Sequence, residues 1–155
     1  MERAMTITNA EAIMTATKKA EIFFGVDEAS IKQLLDHQRV KYVTMKRGQN
    51  IYHHGDVSDK FWLIMSGEIV AQVQSLRHPF HKLRYCPGDV TGLRGIVDPG
   101  KPRPVTMIAD SDVELIEIPG EVIMAMDSQF WGTVMSNIAR VLLERLLARN
   151  ENLDH

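Results

Sequence analysis

The stretch Gly55-Asp56-Val57-Ser58-Asp59-Lys60-Phe61-Trp62-Leu63-Ile64-Met65-Ser66-Gly67-Glu68-Ile69 reads as turn, strand, turn and strand. Gly-Asp opens it, and an apolar run over 60–65 has the length of a strand and contains aromatic residues. Ser66-Gly67 then supplies the residues of a tight turn. In the strand expected over 68–74, Ile69, Ala71 and Val73 fall on one face, with Glu68, Gln72 and Gln74 on the other. One side of that strand is dry and the other wet.

Reading outward, a period of two holds from Arg39 to Pro119. Strands are expected over 39–46, 49–53, 60–65, 68–74, 81–86, 105–109 and 112–118. The turns between them fall at Arg47-Gly48, His54-Gly55-Asp56, Ser66-Gly67, Arg77-His78-Pro79 and Pro87-Gly88-Asp89. Short strands with evenly spaced turn signals make a sandwich or a jelly-roll barrel. The last strand breaks alternation at Leu115-Ile116, which calls for a bulge or for burial on both faces.

Helices flank this β region. Asn9 is the expected cap of a helix over 10–20, and Asp27 caps a second over 28–37, where Ile31, Leu34 and Leu35 recur at helical spacing. Beyond Pro119 a short helix over 121–126 precedes a long one from Asp127 or Ser128 to about Arg149. Phe130, Val134, Ile138, Val141, Leu142 and Leu146 form its apolar stripe, and Trp131, Met135 and Leu143 widen it. A stripe that wide can serve two partners, the barrel and a second subunit. The architecture expected is mainly β: a helical segment over 1–38, a jelly roll over 39–119, and short and long helices over 120–155.

Composition narrows the function. The 155 residues are 45% apolar and 25% charged, with a net charge of −2, which argues against a dedicated nucleic-acid binder with a basic face. The apolar runs fall far short of the ~20 residues that span a bilayer. No basic segment leads into an apolar run at the N-terminus, so export is not expected. The single cysteine, Cys86, can form neither an internal disulfide nor a cysteine-built zinc site, and a cytoplasmic setting follows. Six histidines include the adjacent His53 and His54, which a strand points to opposite faces, and His78 and His81, which flank Pro79-Phe80 in a loop. Ser66, Ser75 and Cys86 lack a recognisable base nearby, and Gly92-x-x-Gly95 has neither Rossmann nor P-loop spacing. No metal site and no enzyme activity are expected.

The quoted stretch, with Lys46-Arg47-Gly48-Gln49-Asn50-Ile51 upstream and Tyr85-Cys86-Pro87-Gly88-Asp89-Val90 downstream, resembles the signature of cyclic-nucleotide-binding domains. These include the catabolite activators and the regulatory subunits of cyclic-nucleotide-dependent kinases. The resemblance extends over roughly 20–148 and implies a ligand pocket within the roll, built around a phosphate-binding cassette. That cassette falls at Thr91-Gly92-Leu93-Arg94-Gly95-Ile96-Val97, with a returning loop at Lys101-Pro102-Arg103-Pro104-Val105-Thr106. Gly92, Gly95 and Arg103 take the family's glycine and phosphate-arginine positions, and Arg145 lies near the lid that the long helix makes over the base. A helix start offers amide N–H groups and an arginine a charge-assisted fork, the chemistry a phosphate requires.

Three residues depart from the family pattern. Leu93 stands where a glutamate accepts the ribose 2′-hydroxyl, and leaving that hydroxyl unpaired costs about 1–3 kcal/mol. Pro104 has no N–H to offer. Arg94 replaces an aliphatic residue and brings a second charge near the cassette, unless it points to water. Three functions therefore stand open. The chain is a sensor of cAMP or cGMP that signals through its C-terminal helix, or a module of the same fold used for dimerisation or partner docking. The third is a sensor for another anion held by Arg94 and Arg103 together. A homodimer through the long helix and an effector protein or fused effector domain are the expected partners. Asn150-Glu151-Asn152-Leu153-Asp154-His155 has no room for a recognition helix, so no DNA binding is expected of this chain alone.

Overall fold

The computed structural model describes residues 2–3, 7–72 and 84–153. The turn expected at Arg77-His78-Pro79, the strand residues adjoining it, Ser75, His78 and His81 lie outside them. Among the described residues nine strands pack as two sheets, mainly β with flanking helices and of jelly-roll type. The strands are β1 (Glu2–Arg3), β2 (Lys41–Met45), β3 (Asn50–Tyr52), β4 (Lys60–Ser66), β5 (Ile69–Gln72), β6 (Arg84–Tyr85), β7 (Val90–Thr91), β8 (Thr106–Ala109) and β9 (Val113–Pro119). One sheet has the order β1-β2-β9-β4-β7 and the other β3-β8-β5-β6. The neighbours are antiparallel throughout, and the sandwich does not close into a barrel among the described residues.

The break at Leu115-Ile116 is burial on both faces. Leu115, Val113, Trp62, Ile64 and Val43 fill the space between the sheets. Ile116, Ile118, Phe61, Leu63 and Tyr42 face the other way, into a second core shared with the helices. A sheet covered on both sides loses its polar alternation, which is why 61–64 is apolar without interruption.

That second core is closed by α1 (Ile7–Lys19), α2 (Glu28–Leu35) and α5 (Ser128–Leu153), with the short helices α3 (Arg94–Val97) and α4 (Gly120–Met124) beside them. The Asp27 carboxylate accepts from Ser30 N at 2.7 Å and caps α2, as expected. Asp127 does the same for α5 through Phe130 N at 2.9 Å. The expected cap at Asn9 is corrected: α1 already runs from Ile7, so Asn9 is interior. An interior asparagine costs well under about 1 kcal/mol, less than packing the buried Ile13 and Thr17 side chains returns. A 3-10 turn (Glu21–Phe23) follows α1, and Gly25 at φ +82° redirects the chain into α2. Asn137 of α5 is buried and donates to the Ile22 and Phe24 carbonyls at 3.0 and 2.7 Å, tying the long helix to this turn.

Only part of the long stripe is buried. Phe130, Val134, Ile138 and Val141 enter the core, whereas Leu142, Leu143, Leu146 and Leu147 are between 42% and 54% exposed. The expected apolar stripe is thus divided: Phe130, Val134, Ile138 and Val141 face the core, and Leu142 and Leu146 do not. No helix among the described residues is long and apolar enough to cross a membrane.

Candidate functional site

The site lies where β7 runs into α3. Gly92 ends the strand at φ +87°, and a Cβ there would come within 3.0 Å of the Trp62 ring and 3.1 Å of Arg103 Nη1. Only glycine permits both the turn and the close approach. Gly95 N–H closes the turn on Gly92 O at 2.9 Å. Gly95 itself lies on the backbone of Lys60, which a Cβ would meet at 2.4 Å.

Arg103 is placed by a backbone zipper between residues 55–58 and 100–103. Gly55 N–H donates to Arg103 O at 2.8 Å, Arg103 N–H to Asp56 O at 2.7 Å, and Ser58 N–H to Lys101 O at 2.9 Å. The pairing turns the arginine side chain inward, where the residue is 2% exposed. Nη1 donates to Gly92 O at 3.1 Å and Nη2 to Lys60 O. The guanidinium carbon is 4.6 Å from the Tyr52 ring centre and 5.4 Å from that of Trp62, and the two rings stack at 5.3 Å. Among the described residues no carboxylate forms an ion pair with this cation, and its buried Nε has no hydrogen-bond partner. Burial pushes its pKa down, and the adjacent Tyr52 with the more distant Asp59 and Asp56 act in the opposite sense. A buried charge with neutral neighbours is a costly arrangement that an anion would relieve.

Two hydroxyls meet at the tip of the Tyr52 ring. Tyr52 Oη and Thr91 Oγ1 are 3.1 Å apart and buried, and burial raises the phenol pKa. Two hydroxyl protons share that one contact, so one remains to be donated elsewhere. Trp62 Nε1 donates to Glu117 Oε1 at 3.1 Å, and Lys60 Nζ is 3.8 Å from the same oxygen. From the far side, Arg145 of α5 donates through Nη2 to Val90 O at 3.3 Å and lies 5.3 Å from the Tyr85 ring centre.

The expected site residues thus divide. Gly92, Gly95 and Arg103 come together, and Arg145 reaches β7 from the long helix. Leu93 is 7% exposed and packs into the core shared with the helices, offering no acceptor. Of the two readings of Arg94 the structure places it on the second: it is exposed and pairs with Asp98 at 3.3 Å, one turn away on its own segment, and acts on Arg103 only at range. Pro104 is exposed, and Val105 packs against the core between the sheets. Tyr52, Trp62, Thr91 and Tyr85 are additions that the sequence reading did not single out. Strand alternation could have found Trp62, since it faces away from Phe61 and Leu63, and Thr91 and Tyr85 stand in the cassette and the downstream signature, but nothing local marks Tyr52. His53 Nδ1 is 3.6 Å from Asp56 Oδ2, and among the described residues no group of three ligating side chains could hold a metal ion.

Comparison with known proteins agrees with this geometry. No curated protein matches the chain significantly. In fold it is similar to a cyclic nucleotide-binding domain of Methylobacillus flagellatus (15% identity, TM-score 0.78, covering 98% of this chain and 86% of that one). It is also similar to the catabolite activator protein of Thermus thermophilus (24% identity, TM-score 0.70, 87% of this chain and 62% of that one). A third is the cAMP-bound regulatory domain of Toxoplasma gondii PKA (16% identity, TM-score 0.68, 81% and 47%). The chain spans less than two thirds of the last two. No helix-turn-helix of the kind that docks on DNA occurs among the described residues. The model of the cyclic nucleotide-binding domain family matches residues 42–129, more than half of the sequence, and the chain belongs to that family.

Proposed function

We propose that this chain is a non-catalytic regulatory sensor that binds a cyclic nucleotide, cAMP or cGMP, through residues 92–106 and relays binding through α5. One observation carries the reading: Arg103 is a buried cation without a carboxylate partner among the described residues, with Nε unpaired, beside the Gly92–Gly95 turn. A cyclic phosphate supplies the missing charge and accepts from the guanidinium. Gly92, Gly95 and Val105 shape that site. Leu93 and Pro104 withhold the ribose acceptor and one amide, so affinity falls below that of a full cassette.

The relay has a short path. The Gly95 carbonyl stands against Gly120 at the start of α4, and Gly120 N–H donates to Asp59 O at 2.9 Å. Movement of the cassette therefore presses on the hinge at Pro119-Gly120 and repacks α4 and α5. The output is a homodimer through the exposed leucines of α5, coupled to an effector protein or a fused effector domain. The exposed free thiol of Cys86 suits a reducing cytoplasm.

A thermal-shift titration with cAMP and cGMP tests the reading. Ligand at a hundred times Kd stabilises by about 2.7 kcal/mol, and Arg103→Gln abolishes the shift. A shift that survives Arg103→Gln removes Arg103 from the mechanism. Silence with both nucleotides, in a protein that is dimeric by light scattering, favours the second reading. That reading is a docking or dimerisation module, and the burial of Leu93 among core side chains supports it.

A further inference from the structure

Arg103 and Ser58 belong to the same backbone ladder. The pairing of 55–58 with 100–103 sets Val57 opposite Pro102, and both of these residues are exposed, Val57 at 65%. Successive side chains of an extended pair point to opposite faces. Ser58 and Arg103 are accordingly the inward ones. Ser58 is the one buried residue from His53 through Asp59, and Arg103 the one from Val97 through Pro104. Ser58 faces Lys101 across the ladder, and Arg103 is the next inward position on that strand; such diagonal neighbours are within reach of a long side chain. The segment then runs on to Lys60, whose carbonyl accepts from Arg103 Nη2 and whose backbone lies against Gly95.

Both inward residues carry an orphaned donor. Among the described residues Ser58 Oγ and Arg103 Nε are the two buried side-chain polar atoms without a hydrogen-bond partner. Ser58 is 0% exposed, and its backbone is already committed, its N–H to Lys101 O at 2.9 Å and its carbonyl to Gly100 N–H at 2.8 Å. Arg103 Nη1 and Nη2 each hold a carbonyl, which leaves the Nε–H of the guanidinium without an acceptor. A hydroxyl accepts as well as donates, yet these two atoms do not pair with each other. A third group that accepts from both would satisfy them. A small apolar residue fills such an inward position as well as serine does, so the unpartnered hydroxyl destabilises the ligand-free fold without improving its packing. Water accepts from both donors but leaves the cation uncompensated, whereas an anionic oxygen meets both needs. Pro104, next to Arg103, has no N–H, so the hydroxyl is the donor that this face offers beside the guanidinium.

Resting on the reading that a phosphate sits at Arg103, we infer that Ser58 is a further ligand-binding residue. Its hydroxyl donates to an oxygen of the same phosphate group that Arg103 Nε holds.

Calorimetric titration of the whole chain at fixed ionic strength with cAMP, cGMP and inorganic phosphate tests this, with the Tm of the ligand-free protein measured alongside. Ser58→Ala weakens the binding of whichever probe the parent holds by about fivefold or more. The same change leaves the ligand-free Tm in place or raises it, because the hydroxyl it removes has no partner there. A smaller loss of affinity overturns the inference. So does a ligand-free Tm lowered by Ser58→Ala, which means that a bound water already satisfies the hydroxyl and that it serves the fold. If inorganic phosphate binds with this dependence on Ser58 and neither nucleotide binds, the inference stands and the nucleotide reading falls. If cAMP or cGMP binds through Arg103 without regard to Ser58, the inference falls and the sensor reading stands. If none of the three binds, both fall.

Discussion

The carbonyl oxygen of Gly95 occupies the place a side chain on Gly120 would take, 2.1 Å from the position of its Cβ. Cassette and hinge are thus in backbone contact, with no side chain between them to absorb a displacement. Gly120→Ala must drive the two segments apart, and overpacking of this kind costs about 1–3 kcal/mol. Gly132, in α5, has open space around its Cβ position, and Gly132→Ala should stabilise by about 0.5–1 kcal/mol. Urea denaturation of the two variants checks both signs. Equal stability of Gly120→Ala and the parent would show that the contact is loose.

Asn137 is the polar pin between α5 and the turn that follows α1. Asn137→Ala leaves the Ile22 and Phe24 carbonyls without this donor and opens a small void. Each lost bond to a buried group costs about 1–3 kcal/mol, so a total of about 2–4 kcal/mol is expected. Asn137→Asp replaces the donating amide with a carboxylate facing two carbonyls and should be at least as damaging. A denaturation midpoint within error of the parent for either variant contradicts the role.

Asp27 sets a pH dependence. Its carboxylate accepts the Ser30 backbone N–H, which holds its pKa below the ordinary 3.8. A carboxyl group whose folded pKa is depressed stabilises the fold above its unfolded value and loses that contribution as pH falls through the folded value. Asp27→Ala should therefore lower Tm at pH 7, with a gap that narrows below about pH 4. A gap that is constant from pH 7 to pH 3 would assign the loss to helix propensity alone.

The leucines at 142, 143, 146 and 147 form two adjacent rows on the free side of α5, each pair one turn apart. If they are the dimer seam, Leu143→Glu with Leu146→Glu yields a folded monomer, because neither side chain belongs to the buried core. Sedimentation velocity over a range of concentrations separates the outcomes. A dimer that persists in the double variant places the interface elsewhere.

Much of the fold was legible in local pattern. Turn residues and a period of two located seven strands between 39 and 119, and Asp27 announced α2. The two-residue strands β1 and β7 were not legible, since two residues carry no period and exist as strands only through their partners. The broken alternation at Leu115-Ile116 signalled double burial, but only the packed sheets show which residue serves which core.

For the site, it was the family resemblance that singled out Gly92, Gly95 and Arg103, which lie in a turn and its returning loop within a dozen residues of sequence. Sequence alone also determined that Leu93 and Pro104 cannot do what a carboxylate and an amide do. Tertiary structure decided where the charges go. Arg94 turned to its neighbour Asp98, and the second cation beside β7 came from Arg145, 55 residues away from the carbonyl it holds. The direction of a long, flexible side chain depends on which distant backbone presents an acceptor, and only the assembled sheets and helices settle that.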